Sequence, residues 1–147
     1  MIDTLKMLFE RDLRKLKSEI ESYKNDKNLW QVDTGIDNSG GNLCLHLIGN
    51  LNTYIGAELG KTGYVRNREL EFSQKNMDKE ALLEMIENTI SVVIASLDKV
   101  DKAELQNEYP IVVFEHKTSI EYFLIHLSMH LAYHLGQINY HRRLIDK

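Results

Sequence analysis

One cysteine, one proline and one tryptophan occur in 147 residues, and each scarcity excludes something. A lone thiol, Cys44, cannot close a disulfide within the chain. With Pro110 as the single proline and only eight glycines, little interrupts a helix. No stretch approaches the ~20 apolar residues needed to cross a bilayer. The 18 basic residues are scattered among 22 acidic ones, leaving a net charge of −4 and no footprint for a phosphate backbone. Neither membrane nor nucleic acid is therefore an expected partner. The opening MIDTLKMLFERDLRK lacks the uninterrupted apolar core of a signal peptide, which leads to the expectation of a cytoplasmic protein. A chain of this length buries about two-thirds of its unfolded surface, enough for one domain, 1–147, without crosslinks.

What is present is helical periodicity. Leu5, Phe9, Leu13, Leu16 and Ile20 recur at steps of three and four and predict a helix over 2–25. Ser39 is placed to cap a second, over 41–59, with Leu43, Leu47, Leu51, Tyr54 and Ile55 on one side. Asp78 is placed to cap a third, over 79–98, striped by Leu83, Ile86, Ile90, Val93, Ile94 and Leu97. Thr118 to Glu121 has capping-box form ahead of a fourth, over 119–145. Tyr109 to Phe114, β-branched and aromatic around Pro110, suggests a short edge strand or an extended loop packed on the helices. Four amphipathic helices predict an all-α four-helix bundle, and links of roughly 15 to 20 residues, against the usual two to eight, predict crossovers.

Three of the six histidines, His126, His130 and His134, recur every fourth residue of the last helix. Imidazoles one turn apart can share one metal ion, but His126 and His134 stand about 12 Å apart along the axis and cannot. Ile120, Leu127, Leu131 and Ile138 define the core direction, from which His134 lies about 40°, His130 about 80° and His126 about 120°. The pair His130 and His134 is favoured, with His126 at the rim as a solvated side chain or a neighbour of the ligands. His46, between Leu43 and Leu47, is the histidine within the predicted core of the earlier helices. Three nitrogen donors with an open position would suit a catalytic rather than a structural metal. The competing reading is half-buried imidazoles hydrogen-bonded to neighbours in a metal-free scaffold. Cys44, two residues from His46, points elsewhere and reads as a small core residue. His116 and His141 read as loop and terminal residues, and Trp30 as the anchor of the first link.

Helix 2 as Asn42-Leu-Cys-Leu-His46-Leu-Ile-Gly-Asn50-Leu, and helix 4 as His130-Leu-Ala-Tyr-His134-Leu-Gly136-Gln137-Ile, resemble the DinB-like superfamily, which includes YfiT-type and thiol-dependent members. The likeness runs from Trp30 through Gly60–Phe72 to Arg143, and is to an uncharacterised-function branch. It implies a crossover bundle, frequent homodimers, and a divalent ion, often zinc or nickel, on His46, His130 and His134. One departure is His126, which extends the histidine stripe and leaves a His126–His130 pairing open.

Such an ion supports hydrolysis or transfer from a low-molecular-weight thiol to a small-molecule substrate. Neither His-x-x-x-His interval contains a Glu, which weakens a peptidase reading. Asn50 and Gln137 are candidates to orient a ligand, and Arg66 and Arg68, with Tyr64 on the same link, to hold a substrate anion. These arginines can equally pair with Glu69 and Glu71 and merely hold the loop. The expectation is a metal-dependent transferase or hydrolase. The alternative is a non-catalytic, metal-binding dimeric helical protein.

Overall fold

In the computed structural model, which describes residues 1–147, Leu5, Phe9, Leu13, Leu16 and Ile20 are all buried along α1, Ile2–Glu21. α2 spans Gly40–Leu51, α3 Arg68–Ser73, α4 Lys79–Leu97 and α5 Ile120–Ile145. The fold is all-α, and four of these helices correspond to the four expected from periodicity. α3 is a short fifth within the link after α2. None of the helices is long and apolar enough to cross a membrane.

The Ser39 hydroxyl caps α2 by accepting from the Asn42 amide at 3.1 Å, and Asp78 caps α4 by accepting from the Glu80 amide at 3.3 Å. Past Leu51 the winding loosens into a π-helical turn, Asn52–Ala57. Asn52 Nδ2 and Thr53 Oγ1 donate to the Ile48 and Gly49 carbonyls at 2.9 and 2.7 Å. Side chains thus compete with backbone amides for the ladder acceptors, and Gly60 N reaches back five residues to Ile55 O at 2.9 Å.

Pairings between helices give the topology. Lys17 meets Glu87 and Lys6 meets Asp98, so α1 and α4 are antiparallel. Glu19 meets Arg142, while Arg11 and Asp12 share a groove with Ala132 and Gly136, so α1 and α5 are parallel. His46 meets His130 while Tyr54 meets Phe123, making α2 and α5 antiparallel. Asn52 bonds Thr89 and Gly56 lies against Val92, making α2 and α4 parallel. The four long helices therefore pack in the cyclic order α1, α4, α2, α5, with up-down-down-up directions. The first and last links cross the bundle diagonal, which accounts for their length.

The middle link has a different task. Because α2 and α4 are parallel neighbours, residues 58–78 must travel back along the bundle before α4 begins. Asn42 Nδ2 ties this return path down, donating to the carbonyls of Glu71 and Gln74 at 2.9 and 2.8 Å. α3 is thereby laid along α2.

Two local expectations are corrected. No strand forms at 109–114: Glu108 and Ser119 make an isolated bridge, and Ile111, Val112 and Val113 are exposed without ladder partners. A β-prone segment needs a neighbouring strand to pair with, and this all-helical surface supplies none. The cap of α5 is Ser119, whose hydroxyl accepts from the Tyr122 amide at 3.1 Å, rather than Thr118. The Thr118 carbonyl is held by Tyr109 N at 2.8 Å, and the Glu121 carboxylate accepts from Gln106 at 2.8 Å instead of closing a capping box.

Candidate metal centre

His46 is on the face of α2 that packs against α5, where it is 8% exposed, while His130 and His134 sit half-buried one turn apart on α5. The antiparallel seam brings them together. His130 Nε2 lies 3.2 Å from His46 Nε2 and 3.1 Å from His134 Nε2, and one ring nitrogen from each of the three falls within 4.8 Å of the others. Two nitrogens bound to one tetrahedral ion at 2.0 to 2.1 Å stand about 3.4 Å apart, and about 2.9 Å at right angles. The two spacings from His130 fall between these limits, and the third, between His46 and His134, is within 4.8 Å. The cluster can coordinate a divalent metal.

Hydrogen bonding behind the rings orients them. Glu71 Oε1 lies 3.1 Å from His46 Nδ1, nearer than Arg66 Nη2 at 3.4 Å, and a carboxylate can only accept, which favours the proton on Nδ1 and leaves Nε2 to present its lone pair. Gln137 Oε1 lies 2.6 Å from His134 Nδ1 and sets that ring the same way. His130 Nδ1 is buried with no partner. Lone pairs of at least two rings therefore converge on His130 Nε2, where one bridging hydrogen can serve only one of them well, and a cation would satisfy all three.

Electrostatics disfavour extra protons here. Burial, reinforced by the neighbouring His134, His46 and His126, lowers the His130 pKa to about 4. Burial also lowers that of His46, opposed by its bond to Glu71. His46 and His130 are thus biased towards the neutral form that a metal requires.

The remaining candidates separate. His126 stands outside the cluster, its ring edge-on to Phe114 at 4.8 Å and 6.3 Å from that of His130. Asn50, one turn beyond His46, is buried and its Oδ1 has no partner. Arg66 is committed to Glu71 through Nε and Nη2 at 2.8 and 2.9 Å, and also leans over the Tyr54 ring. Arg68 is exposed, over the Phe72 ring, with no ion-pair partner. A cavity of about 320 Å³ between the 35–38 loop and α5 is bordered by Leu43, Gln137 and Tyr140, so Gln137 joins it to His134.

Glu71 is the contact sequence reasoning missed. Its pairing with arginine was legible, but its reach to His46, 25 residues away, depends on the return path of the link. Gly49, three residues after His46 and on the same helix face, was the one available signal, since a glycine inside a helix marks a close approach. His141, read only as a terminal residue, lies in the last turns of α5 and is buried at 3% exposure, accepting from Tyr23 Oη and donating to Gln31 O.

A family model described as "Protein of unknown function (DUF1572)" matches residues 2–147, essentially the whole chain. The chain belongs to this family, within the DinB-like superfamily. No curated protein matches it.

Proposed function

We propose that this member of the DUF1572 family is a metal-dependent enzyme in which His46, His130 and His134 hold a divalent ion, zinc or nickel, and a small thiol is transferred to an electrophilic small molecule. The convergence of three Nε2 atoms, two of them fixed as acceptors by Glu71 and Gln137, carries the metal reading. Such an ion supplies Lewis acidity, lowering the pKa of a coordinated water or thiol.

Transfer is favoured over hydrolysis by what surrounds the triangle. Metal-assisted hydrolysis normally uses a free carboxylate near the ion as general base. Glu71, the carboxylate that reaches the cluster, is tied to Arg66 and to His46 Nδ1 and has no basic oxygen to spare. A thiol brings its own nucleophile. Cys44 does not compete for that role, since it is fully buried and burial pushes its pKa up. Arg68, unpaired at the edge of α3, is available to a carboxylate of the incoming thiol. Asn50 and Gln137 orient what lies between the helices, and the cavity beside Gln137 admits the electrophile.

The test is turnover by the zinc- or nickel-loaded, tag-free protein given low-molecular-weight thiols with epoxides or chlorodinitrobenzene. Metal-dependent thioether product is expected, and its absence across a broad thiol panel overturns the transferase reading.

A second reading, a non-catalytic metal-binding dimer, is favoured by one observation. Met129, Tyr133 and Tyr140 on the outer side of α5 are each about two-thirds exposed, an apolar row touched only by neighbours on α5 itself and left uncovered in the single chain. A metal-bound homodimer without turnover in that screen is its expected signature.

A further inference from the structure

We propose that Glu71 is the positioning residue of the centre, holding His46 with Nε2 presented, and that Gly49 is the gap in α2 that lets it do so. This rests on the metal-binding reading of the three histidines. Glu71 is 6% exposed, and a buried carboxylate is costly unless paired and hydrogen-bonded. Here Arg66 grips it with two nitrogens at 2.8 and 2.9 Å, leaving Oε1 directed at His46 Nδ1 at 3.1 Å. A carboxylate behind a ligating imidazole fixes its tautomer and raises its basicity.

The carboxylate occupies space that any other residue at position 49 would fill. A Cβ on Gly49 would lie 2.0 Å from Glu71 Oε2 and 2.6 Å from its Cδ. The far end of a glutamate usually moves aside cheaply, but this one is held by Arg66, by His46 and by the Glu71 carbonyl's bond from Asn42. A methyl at 49 must therefore push the carboxylate off His46. The three ligands are also backed unequally. His46 has an anion behind it, His134 the neutral amide of Gln137, and His130 nothing. Loss of Glu71 should accordingly cost more than loss of Gln137.

The experiment titrates the metal-stripped 147-residue chain with zinc and, for its visible spectrum, cobalt(II). Glu71→Ala is expected to lower affinity about 10- to 100-fold and shift the cobalt bands. Glu71→Gln, which keeps an acceptor for Nδ1–H but loses the charge, should fall between it and the wild type. Gly49→Ala, with every ligand and Glu71 retained, should lose about tenfold, and should lose nothing further in a Glu71→Ala background where the methyl has room. Circular dichroism of the metal-free proteins separates misfolding from weakened binding, and Glu71→Gln serves if the alanine variants fold poorly. Wild-type affinity and unchanged cobalt bands in the Glu71 variants overturn the positioning role while leaving the metal site standing. Additive losses in the double variant overturn the part assigned to Gly49. Failure of the wild type to bind either metal overturns the metal reading itself, and this inference with it.

Discussion

Tyr23 Oη and His141 Nδ1 lie 2.6 Å apart, joining the chain just after α1 to the last turns of α5. His141 Nε2–H donates to Gln31 O at 2.7 Å, so Nδ1 is the acceptor and Tyr23 the donor. The neighbouring Asp146 carboxylate accepts from Asn25 N and Asn28 Nδ2, fastening the terminus to the same link. Removing the hydroxyl with Tyr23→Phe orphans a buried nitrogen. A loss of about 1 to 3 kcal/mol in chemical denaturation is expected.

The same pair makes stability depend on pH. Burial lowers the His141 pKa below its ordinary 6.5, despite the opposing bond to Gln31, so the unfolded chain binds the proton more readily. Its contribution is fully present above about pH 6.5 and is lost as pH falls through the lowered folded value. Denaturation midpoints of the metal-free protein should therefore fall between pH 7.5 and 5. The fall should be shallower in His141→Asn.

Metal affinity should drop as pH drops, because each ligating imidazole must be neutral. Burial lowers the pKa of His46 below its ordinary 6.5 and takes that of His130 to about 4, so protons compete with metal at both positions as pH falls below 6.5, and at His130 last. Calorimetric titration with zinc between pH 5 and 8 is expected to show affinity weakening towards pH 5.

Ligand substitutions should fall into two groups. His46→Ala, His130→Ala and His134→Ala each remove a convergent nitrogen and should cost at least about tenfold in affinity. His126→Ala, outside the cluster and packed on Phe114, should leave affinity within about twofold while loosening the 109–116 link. A tenfold loss in His126→Ala with none in His134→Ala would point to the other pairing.

Trp30 should prove a structural anchor. Its ring fills the space beside Gly41, where a Cβ would lie 2.7 Å from Cε3, and it is 6% exposed. Trp30→Ala is expected to cost about 3 to 5 kcal/mol. Trp30→Phe should cost much less, since the indole Nε1 has no partner to lose. Thermal denaturation of both variants checks this.

What could be read from the chain alone follows from local rules. Steps of three and four placed four helices, serine and aspartate marked two of their starts, and the i, i+4 histidines on a helix whose core side was known singled out His130 and His134. Link lengths were long enough for crossovers, and the first and last links make them. Where the local rule had competitors, it failed: Thr118 has capping chemistry, but its carbonyl is claimed by Tyr109 across the link. Ile111 to Val113 have strand propensity, but no neighbouring edge exists to pair with.

Only the tertiary structure decided which residues meet across the chain. Parallel α2 and α4 force the intervening link to retrace the bundle, and that path, not any spacing in sequence, delivers Glu71 to His46. The diagonal crossing of the first link likewise brings Gln31 and Tyr23 to His141, giving buried partners to a residue that the sequence marks only as terminal. Helical periodicity is a property of adjacent residues and is written in their order. The partner of a buried polar group depends on chain direction and packing, which arise only when the whole core closes.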